Sequence, residues 1–184
     1  MADNVRSERL LLALGSGRPR ERGGMSSVSV LVVEDFAPFQ RFISSTLKKS
    51  PDLQVIAVVS DGLEAVQKAE ELQPDLIVLD IGLPTLDGIE AARRIRKLSP
   101  ESKVLFLSQE SSADIVQEGL RSGALGYVAK ARTGIDLLAA VEAICQGRRF
   151  VSAGLVNQVP VELADRQASN RLQPCFASQP EAGD

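Results

Sequence analysis

The 184-residue chain contains no histidine. That absence removes the Ser-His-Asp triad, the Cys-His dyad and every histidine-ligated zinc site. Tryptophan is missing too, and one tyrosine and six phenylalanines are the whole aromatic complement. The two cysteines, Cys145 and Cys175, stand thirty positions apart. They are too few for the disulfide framework of a small secreted domain and too distant for a thiolate metal site, so they read as free thiols in a reducing compartment. No apolar run approaches the ~18 residues of a membrane span. Leu10 to Leu14 follow Arg6 and Arg9, but the run is short for a secretory leader and Glu8 interrupts its basic flank. A cytoplasmic location is expected. An excess of positive charge is also lacking: 21 Lys and Arg against 24 Asp and Glu give −3. That balance argues against attachment to nucleic acid by bulk charge. Any chemistry must rest on carboxylates, hydroxyls and lysines.

Composition divides the chain into three. Residues 1–27 are rich in Arg, Gly and Ser and read as a flexible extension, with at most a short helix around Glu8–Leu14. Met25 stands just before the first strand-like run and could itself be a start. Residues 150–184 carry Pro160, Pro174 and Pro180 and little periodicity beyond Val161–Arg166, as expected of a mostly disordered tail. Residues 28–149 between them hold five apolar, β-branched runs: Val28–Val33, Val55–Val59, Leu76–Leu79, Val104–Leu107 and Tyr127–Ala129. Most are continuous rather than alternating, as in strands buried on both faces of a parallel sheet.

Helical periodicity fills the gaps. Phe39, Phe42, Ile43 and Leu47 share one face of the first helix; Ala65, Val66, Ala69 and Leu72 share one face of the second. Ile89, Ala92 and Ile95, then Ile115, Val116 and Leu120, then Leu137, Leu138, Val141 and Ile144 mark three more. Pro38 suits a first helical turn. Asp61-x-x-Glu64, Asp87-x-x-Glu90, Ser111-x-x-Asp114 and Thr133-x-x-Asp136 resemble capping boxes. Arg93, Arg94, Arg96 and Lys97 read as the solvated face of the third helix. Five β/α repeats predict an α/β fold: a doubly wound five-stranded parallel sheet in a three-layer α/β/α sandwich.

In such sheets ligands bind beyond the carboxyl ends of the strands, where strand order reverses. The first strand is followed by Glu34 and Asp35, the third ends in Asp80, the fourth ends at Ser108 and the fifth runs into Lys130. Three acids on one edge repel each other and call for a cation. Oxygen-only ligands select a hard ion, and Mg²⁺ fits best.

These residues carry a resemblance. Val28–Arg149, with its Val-Leu-Val-Val-Glu34-Asp35, Pro74-Asp75-Leu-Ile-Val-Leu-Asp80-Ile-Gly-Leu-Pro84, Asp87-Gly88 and Gly126-Tyr-Val-Ala-Lys130, resembles the receiver domain of two-component response regulators. The Lys130-Ala131 pair, where many receivers have Lys-Pro, looks closest to receivers that precede a LuxR-type helix-turn-helix, and Gly147–Ser152 is similar to the linker of that subgroup. The resemblance implies a flavodoxin-like fold and a phosphoacceptor at Asp80, which would take its phosphoryl group from a sensor histidine kinase. It implies Mg²⁺ held by Glu34, Asp35, Asp80 and the backbone carbonyl of Gly82. Lys130 and Ser108 would contact phosphoryl oxygens. Tyr127 would turn inward as Ser108 moves, biasing the face of the fourth helix, fifth strand and fifth helix toward homodimerisation or partner docking.

Departures bear on this. Gln109 stands where the family resembled commonly places a small residue, and Gly82 and Glu110 occupy positions that in that family influence hydrolysis of the phosphoryl group. The stretch after Phe150 is shorter than a helix-turn-helix needs, so no DNA-binding domain is expected. Other readings are a phosphorylation-independent adaptor, the remnant of a truncated transcriptional regulator, and an aspartate-nucleophile phosphohydrolase. The last would want a second acid where Gly82 stands, so enzymatic turnover beyond self-phosphotransfer and slow aspartyl-phosphate hydrolysis is not expected.

Overall fold

Each apolar run becomes a strand because its successive side chains are buried on opposite faces of one sheet. The computed structural model describes residues 27–158. The N-terminal extension, Met25, the remainder of the expected tail and Cys175 lie outside them. The strands are β1 (Val28–Val33), β2 (Leu53–Val59), β3 (Leu76–Asp80), β4 (Lys103–Ser108), β5 (Gly126–Ala129) and β6 (Phe150–Val151). The helices are α1 (Ala37–Leu47), α2 (Gly62–Leu72), α3 (Gly88–Leu98), α4 (Ala113–Arg121) and α5 (Thr133–Cys145). All pairings are parallel, in the order β2-β1-β3-β4-β5-β6. This is the flavodoxin-like three-layer sandwich that the sequence predicts, and its strand order reverses between β1 and β3.

The two apolar layers follow from the twofold period of the strands. Leu31, Val33, Ile77, Leu79, Phe106 and Tyr127 pack beneath α2, α3 and α4 with Ile89, Ile95, Val116 and Leu120. Val30, Val32, Leu76, Val78, Leu105, Leu107 and Val128 face α1 and α5, meeting Ile43, Leu47, Leu137, Val141 and Ile144. With both faces covered, the central strands lose any polar alternation.

A short sixth strand is added to the five expected. Phe150 pairs with Gly126 and Val151 with Tyr127, so ordered structure continues past Arg149. Gly147, at φ +76°, turns the chain after α5, and the Arg148 N–H donates to the Ala143 carbonyl at 2.8 Å. A 3-10 turn, Ala153–Gln158, follows β6 and buries Leu155 in the cluster that holds Val116 and Leu120 of α4. Two residues are too few to show a period in sequence, which is why this strand was not legible.

The helix starts are only half as expected. The Asp61 side chain accepts from the N–H groups of Leu63 and Glu64, and Asp87 from those of Ile89 and Glu90. By contrast α4 begins after Ser112 with no side-chain cap bond. Thr133 lies inside α5, where its hydroxyl donates to the Lys130 carbonyl at 2.9 Å. Gly88 has a packing reason: a Cβ there would stand 2.0 Å from the Asp80 carbonyl oxygen. The start of α3 is thereby pressed against the end of β3.

Candidate functional site

Four strand ends converge at the β1/β3 reversal. Glu34 and Asp35 leave β1, and Asp80 closes β3; these three carboxylates bring oxygens within 4.8 Å of one another. Glu34 and Asp80 are buried, at 1% and 5% exposure, whereas Asp35 is exposed. Ser108, at the end of β4, and Lys130, just after β5, complete the edge. All five strand-end residues thus come together, around a cleft of about 460 Å³ that Gly82, Gln109 and Glu110 also line.

Lys130 is the hinge of the charge balance. Its Nζ lies 2.8 Å from Asp80 Oδ2, 3.0 Å from Glu34 Oε1 and 2.8 Å from Glu34 Oε2. The ammonium also sits 5.1 Å above the Phe39 ring, a favourable cation–π placement. Glu34 Oε1 accepts in addition from the Phe36 N–H at 3.3 Å. Oε2 is different: it is in ion-pair contact with Lys130 but accepts no well-directed hydrogen bond. The Gly82 N–H donates to Asp80 Oδ1 at 3.3 Å.

Burial pushes the Glu34 carboxyl above its ordinary value; the hydrogen bond from Lys130 opposes this and the charge of Asp80 adds to it. Burial acts to lower the Lys130 ammonium, but hydrogen bonds to Asp80 and Glu34 outweigh it, and the lysine is raised overall. Three carboxylates against one ammonium leave −3 + 1 = −2 on the edge. A buried Glu34 oxygen that accepts no well-directed hydrogen bond, an all-oxygen donor set and this negative balance fit a divalent hard cation.

Ser108 and Tyr127 form a second, connected group. Ser108 is buried at the strand end, and its Oγ accepts from the Glu110 N–H at 3.0 Å. The Tyr127 hydroxyl donates to the Glu110 carbonyl at 2.8 Å. Its ring is wholly buried. Burial raises the Tyr127 phenol, against a hydrogen bond with Ser108.

Sequence reasoning did not single out Arg132 and Ser152, and it read Asp136 as a capping residue. Arg132 Nε and Nη2 contact the Asp136 carboxylate at 2.8 and 3.0 Å, and the Ser152 hydroxyl donates to Asp136 Oδ2 at 2.7 Å. The only signal for Arg132 and Asp136 was their i, i+4 spacing; for Ser152 there was none.

Residues 30–142 match the family model of the response regulator receiver domain. The chain belongs to that family. Receivers of two-component systems carry phosphoryl groups on aspartate, bind Mg²⁺ in an acidic pocket and work with sensor histidine kinases. This receiver is 41% identical over 112 residues to a protein-glutamate methylesterase/protein-glutamine glutaminase of Thermotoga maritima, covering 60% of this chain and 32% of that protein. It is 29% identical over 146 residues to the oxygen regulatory protein NreC of Staphylococcus epidermidis, covering 79% and 67%. Among solved structures, a LuxR-family two-component response regulator from Aurantimonas sp. SI85-9A1 superposes with a TM-score of 0.69 at 29% identity, over 72% of this chain and 95% of that one. The chain spans about a third of the Thermotoga methylesterase, so that protein's named activity does not come with the match. No helix among the described residues is long and apolar enough to cross a membrane.

Proposed function

We propose that this receiver accepts a phosphoryl group on Asp80 from the phosphohistidine of a sensor kinase. An Asp80 carboxylate oxygen attacks phosphorus as the P–N bond breaks; the imidazole leaves with that electron pair and takes up a proton, and an aspartyl phosphate remains. The observation that carries this reading is Lys130, whose Nζ bridges Asp80 and Glu34 within the three-carboxylate edge. Glu34, Asp35, Asp80 and the Gly82 carbonyl would hold Mg²⁺, which when bound offsets charge on the phosphoryl oxygens. Lys130, a flexible point charge already 2.8 Å from Asp80 Oδ2, needs only a small shift to meet a phosphoryl oxygen. Ser108 Oγ would turn its proton from the Tyr127 oxygen to another phosphoryl oxygen, while the bond it accepts from Glu110 uses only a lone pair.

The chemistry is self-phosphotransfer and slow hydrolysis in the cytoplasm, with output through a changed protein surface. That surface is altered from the expected one: β6 borders β5, so α4 and α5 flank β6 and the Ala153–Gln158 turn instead of an open β5 edge.

Incubation with phosphoramidate and Mg²⁺, followed by mass spectrometry, tests the assignment. Asp80 is expected to be modified in a Mg²⁺-dependent way, and Asp80→Asn to remain unmodified. A phosphoryl group found on Ser108, or incorporation indifferent to Mg²⁺, would overturn it.

A further inference from the structure

Lys130 opens a 3-10 turn, Lys130–Arg132, that has no side-chain cap of its own. Position 131 is alanine, so no pyrrolidine ring locks φ in that turn. Restraint comes from elsewhere. On the C-terminal side, the guanidinium of Arg132 makes a two-pronged contact with Asp136, and Thr133 Oγ1 donates to the Lys130 carbonyl. On the N-terminal side, the Ala129 N–H donates to Ser152 Oγ at 3.3 Å, while the Ser152 N–H donates to the Tyr127 carbonyl at 3.0 Å.

Ser152 joins the two sides. It is fully buried, and its hydroxyl proton goes to the same Asp136 oxygen that receives Arg132 Nε. A hydroxyl offers one donor and lone pairs to accept with, and here both capacities are used on the two flanks of Lys130. The serine stands ten residues beyond the last residue of the family match, at 142.

We propose that Ser152, acting through Asp136 and Arg132, is a positioning residue for Lys130. The strand that follows α5 sets the place from which the lysine reaches Asp80 and, on the assignment of Asp80 as phosphoacceptor, the phosphoryl group. A point charge on a long stem is useful only if its root is fixed, and five hydrogen-bonded residue contacts fix the root here.

The test uses the whole chain as wild type, Ser152→Ala, Ser152→Thr and Arg132→Gln. Three quantities are read: the rate of Asp80 phosphorylation by phosphoramidate, the Mg²⁺ affinity, and the ¹³Cε resonance of Lys130 in lysine-labelled protein, assigned with Lys130→Arg. Ser152→Ala and Arg132→Gln are expected to slow phosphorylation roughly tenfold, less than the ~100-fold that a 1 Å misplacement costs. Both should shift the Lys130 resonance and leave Mg²⁺ affinity unchanged, and Ser152→Thr should restore both rate and resonance. Wild-type rates with an unshifted resonance would overturn the proposal; so would a rate that falls only in step with Mg²⁺ affinity and overall stability. If Ser152→Ala fails to fold, Arg132→Gln decides, because that side chain is 41% exposed and its loss leaves the core intact. If the wild type takes no phosphoryl group, the assignment of Asp80 fails, and the Lys130 resonance alone decides the positioning role.

Discussion

Replacing Lys130 by methionine keeps a long apolar stem but removes the ammonium that lies over Phe39, which is the only cation in contact with Glu34 and Asp80 among the described residues. The edge then carries −3 instead of −2. Breaking a buried ion pair on one side costs about 3–5 kcal/mol, because the remaining charge is stranded. Lys130 is 12% exposed and Asp35 opens toward solvent, which places the metal-free loss at the low end, about 3 kcal/mol. Mg²⁺ at roughly 100 times its dissociation constant adds about 2.7 kcal/mol to a protein that binds it only when folded, and the loss shrinks by as much as the more negative edge of the variant binds Mg²⁺ more tightly than the wild type does. Protonation gives a second handle. The Glu34 carboxyl is raised from its ordinary 4.5 in the fold, so the folded state holds the extra proton and stability falls as pH climbs from 4.5 through the raised value. Removing Lys130 pushes Glu34 further up, so the deficit of Lys130→Met should shrink toward about pH 5. Urea denaturation followed by circular dichroism, with and without millimolar Mg²⁺ and at neutral pH and about pH 5, measures all three effects. A metal-free loss below about 1 kcal/mol, or a loss that Mg²⁺ leaves untouched, would refute the picture of a charged edge held by one lysine.

Three other expectations are more local. Gly88→Ala drives a Cβ to 2.0 Å from the Asp80 carbonyl oxygen, so the β3–α3 junction must open; a loss of about 2 kcal/mol in urea denaturation, with weaker Mg²⁺ binding, is expected. The Arg132 guanidinium holds the Asp136 carboxyl below its ordinary 3.8, so its contribution is complete above 3.8 and lost as pH falls below it. Asp136→Asn should therefore flatten the stability curve in that acid window, as read by thermal melts across pH. Tyr127→Phe deletes the hydroxyl that donates to the Glu110 carbonyl, at a cost of about 1 kcal/mol, and should speed amide exchange in the β4–α4 loop.

The site was legible because chain order and geometry coincide there. Glu34, Asp80, Ser108 and Lys130 each end or follow a continuous apolar run, and a parallel sheet delivers such positions to one edge whatever the helices between them do. The aspartates at 61 and 87 were legible as caps because an N-cap is chosen locally, within three residues. Thr133 and Asp136 showed the same spacing, but Thr133 donates three residues back to the Lys130 carbonyl, and Asp136 is taken up by Arg132 one turn back and by the distant Ser152. At Asp136, tertiary hydrogen bonding overrode the local motif. Strand β6 failed to register for the same reason: it exists only because β5 presents an unpaired edge, and its two residues carry no period of their own.

That covered edge changes what a phosphorylation-dependent dimer can use. Had β5 been the last strand, two copies could have met across its open rim. With β6 paired outside it, and Leu155 buried with Val116 and Leu120 of α4, the accessible apolar group beside α4 is Val156, which is 52% exposed. The link from the phosphoryl site to this segment runs from Lys130 through Arg132 and Asp136 to Ser152, four residues before Val156. A shift of Lys130 onto a phosphoryl oxygen changes the contacts that hold this turn, and a ligand can move such an equilibrium only through contacts that differ between states. Beryllofluoride with Mg²⁺, which on the proposed assignment takes the place of a phosphoryl group on Asp80, should therefore raise the sedimenting mass of the wild type. Val156→Lys should bind beryllofluoride equally well and stay monomeric, since a desolvated ammonium opposes an apolar contact. A wild type that remains monomeric with beryllofluoride bound would refute self-association, and a Val156→Lys protein that still dimerises would place the interface elsewhere on the surface.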